Sequence, residues 1–156
     1  MGAGICGHCR AAVLLALLAL AAAAPCRPAA AEEEAATTLE VTVSNVRNSR
    51  GHIRVAVCTQ ETFLGPSCPF NGSAPARPGS VTVTVAGVPP GLYAVQVFQD
   101  EDDSGHIRRS LLGIPQEGVG FSNDASMRFG APRFPDAAFR LAPAGGRLSL
   151  RLKYFD

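Results

Sequence analysis

The feature that most limits what this chain can become is a beat of two. In LEVTVSNV (39–46), Leu39, Val41 and Val43 alternate with Glu40, Thr42 and Ser44. HIRVAVC (52–58) repeats the pattern with Ile53, Val55 and Val57, and SVTVTVAGV (80–88) with Val81, Val83 and Val85. LYAVQVFQD (92–100) is the most apolar of the set, and AAFRL (137–141) and RLSLRLKYF (147–155) close the chain. Successive side chains of a strand point to opposite faces, so this alternation predicts strands with one buried face. No stretch of useful length repeats at three and four residues, and no amphipathic helix is expected. Six or seven short strands at this spacing predict an all-β fold, an antiparallel β-sandwich of about seven strands, with a closed barrel as the alternative. The polar RNSRG between the first two strands reads as a hairpin turn. Residues 59–79, rich in Pro and Gly, read as a loop, and 100–136 as one long irregular loop.

The strands begin only after a different kind of segment. Arg10 precedes an unbroken apolar run from Ala11 to Ala24, and small residues follow. That is the layout of a secretory signal peptide, and the run falls short of the ~20 residues that span a bilayer. Cleavage fits best after Ala31, so 1–31 is read as a signal peptide, 32–38 as a flexible start and 39–156 as one domain. A lipoprotein acylated at Cys26 is the alternative, disfavoured by Pro25 before it. The expected location is periplasmic or secreted. No later segment is apolar enough to span a membrane, and a monomer is expected. After cleavage, 12 Lys and Arg face 13 Asp and Glu. A net charge near −1 argues against a nucleic-acid partner. The partner is expected to be a protein or a small-molecule ligand.

Export also sorts the cysteines. Cys6 and Cys9 stand in a CGHC pair inside the segment to be removed. Cys58 and Cys68 remain, an even pair in an oxidising compartment, and are expected to form a disulfide closing CTQETFLGPSC.

Two stretches of the long loop carry chemistry. Asp100, Asp102, Ser104, Gly105 and His106 match positions 1, 3, 5, 6 and 7 of a calcium-binding loop, so Asp100, Asp102, Ser104 and His106 are candidate ligands. Arg108 and Leu111 stand where acidic groups are expected, and the other reading is a turn capped by aspartates. Calcium is the one cofactor suggested. Downstream, Glu117, Phe121, Ser122, Asn123, Asp124 and Arg128 are candidate ligand-binding residues, because long structureless loops are often functional. The other reading is a loop stapled by its own aromatics. Ser122, His106 and Asp100 are a nominal triad, but no nucleophile elbow surrounds the serine. A non-catalytic binding or accessory module is therefore expected, then a calcium-stabilised structural domain, with a hydrolase the weakest reading.

PPGLYAVQVFQDEDDSG, LLGIPQEGVGFSNDA, FPDAAFRL and LSLRLKY together resemble the bacterial domain-of-unknown-function family 2141. The most specific piece is the GIPxEGxGFSN run at 113–123. The resemblance implies a small exported bacterial protein with an Ig-like or transthyretin-like sandwich, and it implies no activity. Relatives typically carry His-Asp before this acidic loop and often an acidic ninth position, where this chain has Gln99 and Arg108.

Overall fold

Each alternating segment forms a strand. The computed structural model describes residues 36–155; the expected signal peptide, 1–31, residues 32–35 and Asp156 lie outside the described residues. The strands are β1 (Thr37–Val46), β2 (His52–Cys58), β3 (Phe70–Pro75), β4 (Gly79–Val88), β5 (Gly91–Asp100), β6 (Val119–Phe121), β7 (Ala138–Leu141) and β8 (Gly146–Arg151). They build a three-stranded sheet in the order β4-β1-β8 and a five-stranded sheet in the order β3-β2-β5-β6, with β7 also paired to β5. The two sheets make a β-sandwich, as the alternation predicts.

Register explains why the apolar residues meet. Leu39, Val41 and Val43 of β1 stand opposite Val85, Val83 and Val81 of β4. In the other sheet Val55 and Val57 of β2 stand opposite Val97 and Val95 of β5. All ten are buried and join one core with Leu150 and Leu152. Burying each Val or Leu fully stabilises by roughly 1.5–3 kcal/mol, so this face holds the fold together.

The connections differ from expectation. β1 and β2 do not form a hairpin: β1 pairs with β4 and β8, β2 with β3 and β5. RNSRG carries the chain from one sheet to the other. Gly51 is required at that corner, since its φ is +64° and an added Cβ would lie 1.8 Å from the Asp100 carbonyl oxygen. A corner and a hairpin look alike in sequence because both sheets turn apolar faces to the same core. Nor is the sandwich wholly antiparallel, for β1 and β8 run parallel. β3 lies inside the stretch expected to be loop, and β1 opens at Thr37, two residues inside the expected flexible start. β8 ends at Arg151, and the chain then crosses over, so that Lys153 and Val119 of β6 exchange backbone hydrogen bonds at 2.8 and 3.0 Å. That exchange ties the edge of the five-stranded sheet to the end of the other sheet.

The long loop is more ordered than its sequence suggests. It contains β6, a short 3₁₀ turn (Ser122–Asp124) and a helical turn, α1 (Phe134–Ala137). These segments fold over the outer face of the five-stranded sheet. Ala94, Phe121, Ala125, Phe134 and Ala137 form a second apolar cluster there, with Phe63 edge-on to both Phe121 and Phe134 at 5.8 Å. Cys58 and Cys68 are joined by a disulfide, their Cα atoms 4.8 Å apart, and it closes the loop carrying Phe63.

A candidate binding cleft and the acidic loop beside it

β5 ends at Asp100, whose carboxylate is fully buried. One oxygen accepts the Ser104 N–H at 3.0 Å, and the other accepts the Gly105 N–H at 2.8 Å and the Arg54 Nε–H. Burial pushes this carboxyl up, but Arg54 and the two backbone N–H groups outweigh it and hold it below its ordinary range. Next to it, Glu101 pairs with Arg47 at 2.6 Å and Arg50 at 2.8 Å. Burial raises Glu101 as well, and Arg47 and Asn48 bring it down further.

Asp102 accepts the Ser104 N–H at 3.2 Å and faces Arg108 Nε at 3.2 Å. The Ser104 hydroxyl donates to the His106 carbonyl at 3.1 Å, and the exposed His106 ring faces the Ser104 carbonyl oxygen. Sequence order hides the third carboxylate. Glu117 is fully buried and accepts the backbone N–H groups of Glu101 and Arg108 at 3.1 and 3.0 Å. Asp100, Asp102 and Glu117 thereby place carboxylate oxygens within 4.8 Å of one another. Glu117, not position twelve, supplies the third acid, while Leu111 is fully exposed. Arg108 is the counter-charge, with Nε 3.2 Å from Asp102 and 3.4 Å from Glu117.

The GIPQEGVGFSND run serves the sheets. The Ser122 hydroxyl accepts the Val95 N–H at 2.9 Å and donates to the Ala137 carbonyl. Asn123, at φ +59°, donates to the Ala138 carbonyl at 2.9 Å. Asp124, at φ +48°, accepts the Arg151 N–H at 2.7 Å. Gly120 faces β8 so closely that an added Cβ would lie 2.8 Å from Leu150 and 2.9 Å from the Arg151 carbonyl oxygen. Ser122 and His106 share no hydrogen bond, so the nominal triad is not assembled.

Between this layer and the sheet lies an open cleft of about 1050 Å³. Its floor is the outer face of β2, β5 and β6, with Ala56, Gln96, Phe98 and Phe121. One wall is the disulfide loop, from Leu64 to Cys68. The Gln96 side-chain oxygen accepts the Leu64 N–H at 3.2 Å, and Leu64 sits at φ +62°, uncommon for so bulky a side chain. The other walls carry Ile107, Arg109 and Ile114 from the acidic loop, and Met127 and Arg128 beyond β6. Of the six residues expected to bind a ligand, Phe121 and Arg128 line this cleft; Glu117, Ser122, Asn123 and Asp124 hold backbone groups around it. Phe98, Ile107, Arg109 and Met127 were not foreseen. One signal pointed at the cleft: β5 is too apolar for a strand whose outer face meets water, since Ala94 and Phe98 fall on that face.

No curated protein and no solved structure matches the chain. A family model does, that of an uncharacterized protein conserved in bacteria (DUF2141), over residues 41–147. The match runs from within β1 into β8 and takes in the acidic loop and most of the cleft. It covers well over half of the chain and bears out the resemblance carried by GIPQEGVGFSN. The chain therefore belongs to DUF2141, a bacterial family of uncharacterized function.

Proposed function

We propose that this protein is an exported, non-catalytic binding module that seats a small molecule in the cleft over the five-stranded sheet. The cleft itself carries the reading. Its volume of about 1050 Å³ stands at the upper end of small-molecule sites, roughly 300–1,000 Å³. Its walls come from the disulfide loop and the 100–136 loop, and its floor from rigid strands. Export is supported by the signal-like 1–31 segment and by the disulfide, which suits an oxidising compartment. Titrating a library of neutral and charged fragments against ¹⁵N-labelled protein tests the reading. Shifts concentrated on Gln96, Phe98, Ile107 and Met127 are expected. Shifts scattered over the surface, or none, would sink it.

A calcium-stabilised domain is the second reading, favoured by the convergence of Asp100, Asp102 and Glu117. Arg108 competes for the same oxygens, so any affinity is expected at the weak end, ~10⁻⁴ to 10⁻³ M. A melting temperature identical in millimolar calcium and in chelator removes this reading.

A further inference from the structure

We infer that the ligand of the cleft is a single-chain carboxylate amphiphile, of the fatty-acid type, with its apolar body along the floor and its headgroup between Arg109 and Arg128. The inference rests on the cleft being the binding seat and adds the chemistry that seat selects.

Charge comes first. The cleft is lined by Arg54, Arg109 and Arg128, and by no Asp, Glu or Lys. Arg54 is already matched by Asp100 and Asp103. Arg109 is held only by the Gly113 carbonyl at 3.0 Å, and Arg128 has no hydrogen-bond or ionic partner among the described residues. Two guanidinium groups at one cleft without a carboxylate of their own fit an anion, which each can grip with paired N–H donors.

The rest of the lining excludes most polar anions. The Gln96 amide oxygen is taken by the Leu64 N–H and the Asn71 amide donates to the Cys68 carbonyl, which leaves the Gln96 amide N–H and the Ser67 and Ser73 hydroxyls as the uncharged polar side-chain donors of the lining. Phe98, Phe121, Ile107, Ile114 and Met127 present carbon. A sugar or nucleotide would leave many hydroxyl or base groups unmatched here, which is costly in an apolar setting. An apolar chain leaves none. Arg109 and Arg128 are themselves exposed, so the headgroup keeps part of its water, and a carboxylate is favoured over a phosphate for the share it gives up, since a single negative charge is cheaper to desolvate than a double one.

The test uses the whole mature domain and dodecanoate below its micelle concentration, with dodecanol as the uncharged match and dodecyl phosphate as the other anion. Dodecanoate is expected to saturate at one per protein, with shifts on Phe98, Ile107 and Met127. Dodecanol should bind about tenfold more weakly, and the double variant Arg109→Gln/Arg128→Gln should lose about tenfold for dodecanoate, as loss of charge-assisted hydrogen bonds implies. Its melting temperature should stay unchanged, because neither side chain has a carboxylate partner. Equal binding of dodecanol, tighter binding of dodecyl phosphate, or an unaffected double variant overturns the inference. If neutral fragments shift the cleft and dodecanoate does not, the ligand class falls and the binding module stands. If neither shifts it, both fall. Leu111 and Phe129, both fully exposed on the 100–136 loop, supply a further arm. Sedimentation with phosphatidylglycerol vesicles, without a response to monomeric dodecanoate, would assign the arginines to a lipid surface and overturn the inference.

Discussion

A carboxylate sixteen residues downstream of Glu101 accepts its backbone N–H, and the same Glu117 side chain also takes the N–H of Arg108. Removing it strands one buried donor and one half-buried donor, the buried one costing roughly 1–3 kcal/mol and the other less. Glu117→Ala is therefore expected to destabilise by about 2–4 kcal/mol and Glu117→Gln by clearly less, as urea unfolding would show. Asp100 and Glu101 set the response to acid. Their ordinary values are 3.8 and 4.5, and both are lowered in the folded protein. A group lowered by folding contributes its stability above the unfolded value and loses it as pH falls through the folded one. Urea midpoints should hold level from neutrality to about pH 5 and decline below about pH 4. Stability rising as pH drops through that window would contradict the assignment. At this scale the sequence disclosed residue types and not distances. Asp100 and Asp102 stood out by their spacing, but nothing local reveals that Glu117 folds back to join them.

Among the elements, the disulfide loop has two duties. Its bond removes chain entropy from the unfolded state, worth about 2–3 kcal/mol for a loop of this length. It also holds Leu64 to Cys68 as a wall of the cleft. Cys58→Ser/Cys68→Ser is expected to lower stability by that amount and to weaken probe binding in the cleft, measured by urea unfolding and by the dodecanoate titration. The long strands were legible because one face of each alternates in apolar residues, opposite a polar face in β1, β2 and β4 and a more apolar one in β5. β3 was not, since FNGSAP is polar and carries Gly and Pro, as an edge strand tolerates. β6 has three residues, too few to show a period, and it exists because Val119, Gly120 and Phe121 pair with Phe98, Val97 and Gln96. Which strands share a sheet was hidden too, because strands of both sheets offer the same apolar face to one core.

Taken whole, the molecule depends on its last residues more than their place at the end suggests. Leu152 is fully buried, Lys153 bridges to Val119, and the Tyr154 hydroxyl donates to the buried Gln99 side chain at 2.8 Å. Ending the chain at Arg151 should cost about 2–5 kcal/mol from Leu152 alone, with loss of hydrogen-exchange protection concentrated in β6. Full protection of Val119 in the truncated chain would show that β6 holds its place without that bridge.

The parallel pairing of β1 with β8 sets an order in time. Thr42 faces Ser149, so the first strand to be made waits for the last before its sheet is complete. Contacts between such distant parts of a chain make folding slow, on the order of milliseconds to seconds. If the protein is exported as proposed, a domain that cannot enclose β1 until β8 arrives stays open to threading through a narrow pore, and closes only after β8 has followed.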